Sequence, residues 1–139
     1  MLIDNTLVLD NRAALTATRQ STNIIDLGAN RDIGIGDNDL YVVVKATTAL
    51  VGPSNATVAV EFQTSADGVT FSTILTSAPV SPAVFNAQGA LRIEVPAGVQ
   101  RFIALEYDVA NGPLTAGTVF ATITTGRDAN VYLPRNYVA

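Results

Sequence analysis

Leu40-Tyr41-Val42-Val43-Val44-Lys45-Ala46-Thr47 and Thr57-Val58-Ala59-Val60-Glu61-Phe62-Gln63-Thr64 decide the fold. In the first stretch Leu40, Val42, Val44 and Ala46 point one way, and Tyr41, Val43, Lys45 and Thr47 the other. In the second, Val58, Val60, Phe62 and Thr64 share a face, with Thr57, Ala59, Glu61 and Gln63 opposite. Side chains alternate across an extended backbone with a period of two, so both stretches read as half-buried strands, apolar inward and polar outward. Gly52-Pro53-Ser54-Asn55 makes the turn between them. Asp67-Gly68 follows the second, and Asp-Gly between alternating runs predicts a hairpin because both residues tolerate positive φ. Its return strand is Val69 to Leu75.

The same reading extends outward in both directions. Downstream, Ala90 to Val95 turns Leu91, Ile93 and Val95 inward and Arg92 and Glu94 outward. Phe102 to Val109 puts Ile103, Leu105, Tyr107 and Val109 on one face, and Thr115 to Thr125 buries Val119, Ala121 and Ile123. Pro96-Ala97-Gly98 and Asn111-Gly112-Pro113 supply the turns. Residues 76–89 carry Pro79, Pro82 and Gly89; proline gives no ladder donor, so this stretch reads as a connection between sheets or an edge. Upstream, Ile24-Ile25-Asp26-Leu27 is a short strand ending at Gly28. Residues 28–39 are rich in Gly, Asp and Asn and read as a loop. Leu7-Val8-Leu9 has the makings of a strand and Asn11 to Thr18 of a helical turn, but neither is long, and residues 1–20 read as an arm.

Seven or eight short strands, with turn signals roughly every 8–12 residues, mark a β-sandwich or barrel. The long connections at 28–39 and 76–89 suit sheet-crossing wiring better than a meander. The expected fold is an all-β jelly-roll sandwich of about eight antiparallel strands, with an immunoglobulin-like sandwich as the second choice. One domain spans residues 1–139, with an amino-terminal arm at 1–20 and a carboxyl-terminal tail at 127–139.

Composition narrows function. The chain of 139 residues has no Cys, no His and no Trp, and 48% of it is hydrophobic. Without His or Cys the usual nucleophile–base triads cannot be assembled. Lys45, the single lysine, sits mid-strand among valines and reads as solvent-facing. Glu61, Glu94 and Glu106 fall on outward strand positions, where cross-strand pairing with arginine, for example Arg92 or Arg101, is the expected role. Asp37-Asn38-Asp39 resembles a fragment of a calcium loop but lacks the spaced ligands and closing glutamate of one. Asn55-Ala56-Thr57 matches a glycosylation sequon and marks a surface turn. Gly34-Ile35-Gly36 leads into a strand, not a helix, so it offers no helix terminus to a phosphate. No catalytic, metal-binding or cofactor-binding residues are expected.

Charged residues make up 14% of the chain against roughly 25% in an average domain, and the net charge is -4. Seven arginines scattered from Arg12 to Arg135 form no basic cluster in sequence, so no nucleic-acid partner is expected. No apolar run approaches the length that spans a bilayer, and the amino terminus does not read as a targeting segment, so no membrane partner is expected and synthesis is assigned to a cytoplasm. Sparse charge on an Ala/Val/Thr-rich surface protects poorly against association, which points to a surface meant to be covered. Tyr132 and Tyr137, with Leu133, are candidate anchors in an otherwise polar tail; Leu7, Leu9 and Arg12 are the candidates in the arm.

The segment Ser21-Thr22-Asn23-Ile24-Ile25-Asp26-Leu27-Gly28-Ala29-Asn30-Arg31-Asp32-Ile33-Gly34 resembles the early signature of the small capsid cement proteins of tailed phages, of the type first described from a Bordetella podophage. Leu40 to Val44, Gln63 to Gly68, and Tyr107-Asp108-Val109 leading through Asn111-Gly112-Pro113 to Thr115-Ala116-Gly117 follow in place. The resemblance covers about residues 3 to 125. It implies a jelly-roll protein that sits as a homotrimer on the outer surface of an icosahedral head, binding the major capsid protein where capsomers meet, with no catalytic residues. The Asp37-Asn38-Asp39 loop departs from the pattern in being longer and more acidic. The competing expectation is a carbohydrate- or receptor-binding β-sandwich module, weakened by the absence of Trp and the scarcity of Tyr for sugar stacking.

Overall fold

Alternation becomes pairing in the computed structural model, which describes residues 3–36 and 39–126. A single 3-10 turn, Asn5–Leu7, capped by the Asp4 carboxylate, leads into β1 (Val8–Ala14). Then come β2 (Arg19–Gln20), β3 (Ile25–Asp26), β4 (Leu40–Val51), β5 (Thr57–Ser65), β6 (Ser72–Thr76), helix α1 (Pro82–Ala87), β7 (Leu91–Glu94), β8 (Phe102–Ala110) and β9 (Ala116–Thr125). The first sheet has the order β1-β9-β4-β7; the second has β2-β8-β5-β6, with β3 also on β8. All pairings are antiparallel.

This order nests four pairs: β5 with β6, β4 with β7, β2 and β3 with β8, and β1 with β9. Each successive pair encloses the last, which is the wiring of a jelly roll. β2 meets β8 at Tyr107 and Glu106 and β3 meets it at Ile103 and Phe102, so the two are halves of one broken strand. The core between the sheets is built from the inward series of the alternation. Val42, Val44, Val58, Val60, Phe62, Ile103, Leu105, Tyr107, Val119, Ala121 and Ile123 are all buried.

The amino-terminal arm is corrected. β1 is an integral strand, hydrogen-bonded along β9, and Leu9 and Leu15 are both fully buried in the core. The sequence hid this strand because its alternation is broken by bulges between Val8 and Asp10 and between Asp10 and Ala13. A bulge inserts an extra residue and re-aims its neighbours; here Leu9 and Asp10 both lie inside, and Arg12 takes φ +55°. The segment read as a connection holds α1, which starts with Ser81 as cap and Pro82 in its first turn, positions those residues favour. Phe85 of α1 plugs the end of the core, and Asn86 grips the edge of β4, accepting from the Leu50 N–H and donating to the Leu50 carbonyl, both at 2.9 Å.

Candidate partner-binding surfaces

Three surfaces frame the domain, and an internal network fixes them relative to one another. Asp10 on β1 is fully buried, with hydrogen bonds to both carboxylate oxygens. Its Oδ1 accepts from Arg19 Nη1 at 3.1 Å and from the Thr22 N–H and hydroxyl at 3.1 and 2.9 Å; its Oδ2 accepts from the Tyr107 hydroxyl at 2.7 Å. A buried carboxylate is tolerated only when it is paired and its lone pairs are filled. Arg19, its guanidinium 5.1 Å from the Tyr107 ring centre, also donates to the Ala14 and Gln20 carbonyls. Burial first, and then the Asp10 charge, push the Tyr107 phenol well above its ordinary range, so it stays a donor. The network joins β1 of one sheet to β2 and β8 of the other.

On the outer face of the β1-β9-β4-β7 sheet stand Tyr41, Lys45 and Thr47 from β4, Thr118 and Phe120 from β9, and Arg92 and Glu94 from β7. Val8, Thr122 and Val43 form one cross-strand row on this face and are buried there, so Val43, assigned outward by alternation, is not solvent-facing. Lys45 pairs in register with Phe120, its ammonium 5.8 Å from the ring centre. Beside them opens a shallow cleft of about 620 Å³ lined by Arg12, Lys45, Ala46, Thr47, Thr48 and Thr118. The Thr47 and Thr118 hydroxyls bond each other at 2.7 Å on its wall.

The outer face of the second sheet has the opposite character. Glu61 and Glu106 stand directly opposite each other in the β5–β8 register, with Asp108 two residues along β8. Like charges in that relation repel. The expected arginine partners are not there: Arg101 is held by Asp26, at 2.8 Å from Nε and 2.9 Å from Nη2, and among the described residues no ion pair joins Arg92 to a glutamate. Neutral donors take the role instead. Gln63 donates to Glu106, Thr73 donates to Glu61 at 2.8 Å, and Gln20 donates to Gln63 at 3.0 Å.

The third surface is the end of the sandwich where the 28–36 loop and the Asp67-Gly68 hairpin meet. Asp32 accepts from the N–H groups of Gly34, Gly98 and Val99, stapling the loop to the turn after β7. Gly34 is required there, since a Cβ would lie 1.9 Å from the Pro96 carbonyl oxygen. The donated hydrogen bonds, Gly98's foremost, lower the Asp32 pKa. Asp67 is held at about 2 by the Val69 and Thr70 N–H groups and the Ser65 hydroxyl, and Asp26 at about 2 chiefly by Arg101. Ile35 and Val69 project from this end, 65% and 83% exposed.

The candidate residues fall apart in space. Leu7 is half-buried, packed on the core beside a groove that also takes in Ile3, Leu40 and Ile123. Leu9 is interior and has no surface to offer a partner. Arg12 is exposed and lines the cleft. Tyr132, Leu133 and Tyr137, like Asp37 and Asn38, lie outside the described residues. Sequence reasoning missed Lys45 as a cleft residue, because its approach to Arg12 depends on the β1–β9–β4 register and on the bulge.

The strand order and the two faces of opposite character define a small all-β protein of the jelly-roll class. The profile of the Bbp16 family, a Bordetella phage protein family, matches residues 9–123, most of the chain. The protein belongs to that family. No curated protein matches it.

Proposed function

We propose that this protein is a capsid cement protein. It binds the outer surface of an icosahedral phage head between capsomers of the major capsid protein, as a homotrimer, and stabilises the shell against the pressure of packaged DNA. The observation that carries the reading is membership of the Bbp16 family across the whole jelly roll. The work is binding, with no catalysis, cofactor, nucleic-acid or membrane partner. A protein that binds only the expanded arrangement of capsomers stabilises that arrangement by mass action. A trimer engages equivalent surfaces together, so weak single contacts become strong through effective concentration. The rigid tie between sheets at Asp10 suits the role, because a clip that yields transmits no restraint. The test is to add purified protein to expanded heads that lack it. Their resistance to heat rises with occupancy and reaches a plateau; heads that melt unchanged at saturating protein contradict the reading.

A further inference from the structure

The two broad faces differ in what it would cost to cover them. On the second sheet Glu61 and Glu106 face each other in register, with Asp108 beside them and no cation among the described residues paired with any of the three. Covering that face takes three carboxylates out of water, an expensive desolvation unless the partner brings several cations to meet them. On the first sheet, Lys45 and Arg12 converge on a cleft with no acid in its lining, and neither forms an ion pair among the described residues. Phe120 stands beside Lys45 in register, and Tyr41, Arg92 and Glu94 lie further along the same face; aromatic residues with arginine are what protein interfaces concentrate.

We infer that the β1-β9-β4-β7 face is the face turned to the capsid, and that the Arg12–Lys45 cleft receives a carboxylate-bearing segment of the major capsid protein's surface. The acidic β2-β8-β5-β6 face then points to solvent. The guanidinium offers a planar fork to a carboxylate and the ammonium a compact charge, while the Thr48 hydroxyl and one of the mutually bonded Thr47 and Thr118 hydroxyls remain as donors on the wall. In a chain of net charge -4, this cleft also sets which way the molecule meets an acidic surface, because complementary patches steer encounter.

This assignment rests on the cement reading, and one assay separates them. Binding to expanded heads lacking this protein is measured by co-sedimentation for the natural chain, for Arg12→Glu with Lys45→Glu, and for Glu61→Gln with Asp108→Asn. Thermal unfolding of each variant reports that it folds, and Arg12→Ala serves where the reversed pair does not. The expected result is a half-saturation concentration raised at least about tenfold by the cleft reversal and changed less than about twofold by the acidic-face pair, with affinity of the natural chain falling as salt rises. Failure of the natural chain to bind overturns the cement reading. Binding of the natural chain with the cleft variants equal to it, or with the acidic-face pair as the one that loses affinity, overturns this assignment alone. A fall in the solution mass of the cleft variants overturns the choice of occupant, because the cleft then holds a second copy of the chain.

Discussion

At the scale of single residues, three carboxylates carry distinct consequences for stability. Asp10 has its oxygens filled by Arg19, Thr22 and Tyr107, so removing its carboxylate leaves the partly buried Arg19 guanidinium without its ion pair. Asp10→Ala is expected to cost about 3 kcal/mol, the range for breaking a buried pair from one side. Combined with Tyr107→Phe it should cost less than the two changes summed, since they share one bond. Urea unfolding of both single variants and the double variant measures this. Asp26 and Asp67 act at the surface and through pH. Their pKa values are depressed from 3.8 to about 2 in the folded protein. The unfolded chain therefore takes up protons first as pH falls, and the stabilisation, full above 3.8, is lost as pH drops through about 2. The urea midpoint should decline across that window, and less so in Asp26→Asn; an equal decline in the variant would remove Asp26 from the account.

At the scale of elements, the strands that kept a long stretch of alternation were legible and those broken within a few residues were not. β4 as far as Ala46, β5, β8 and β9 from Val119 each carry an alternating inward series long enough to read, and their inward residues form the core. β1 carries bulges, so Leu9 and Asp10 share a side that alternation would have divided, and a strand reads as an arm. α1 is six residues long, too short for a helical period to register, although Ser81-Pro82 is a recognisable start signal. The glutamates were placed correctly as outward but given the wrong partners: cross-strand register depends on the whole sheet, and it set Glu61 against Glu106. The strand assignment of β1 has a direct consequence. Its ladder amides should exchange with solvent as slowly as those of β9, as measured by hydrogen exchange with mass or NMR detection, whereas an arm would exchange like a loop. Leu9→Ala should destabilise the whole domain by about 3 kcal/mol, the cost of emptying a core leucine site.

At the scale of the whole molecule, the jelly roll follows from nesting. Once Asp67-Gly68 closes the innermost hairpin, β4 with β7, the β2–β3 pair with β8, and β1 with β9 can only wrap outside it in turn. The sequence announced the hairpin and most of the strands, seven or eight against the nine present among the described residues; the order came from pairings that no local pattern encodes. The surfaces were legible in kind but not in place. Sparse charge signalled a face meant to be covered, while the convergence of Arg12 with Lys45 needed three strands in register. Belonging to the Bbp16 family places the chain among phage proteins, and the proposed cement role makes one demand above all others. Electron microscopy of heads assembled without this protein, imaged before and after adding it, tests that demand most directly. The account predicts ordered jelly-roll density on the outside of the shell, at symmetry-related positions between capsomers, with the β1-β9-β4-β7 face inward. Heads that look the same with and without saturating protein would contradict it.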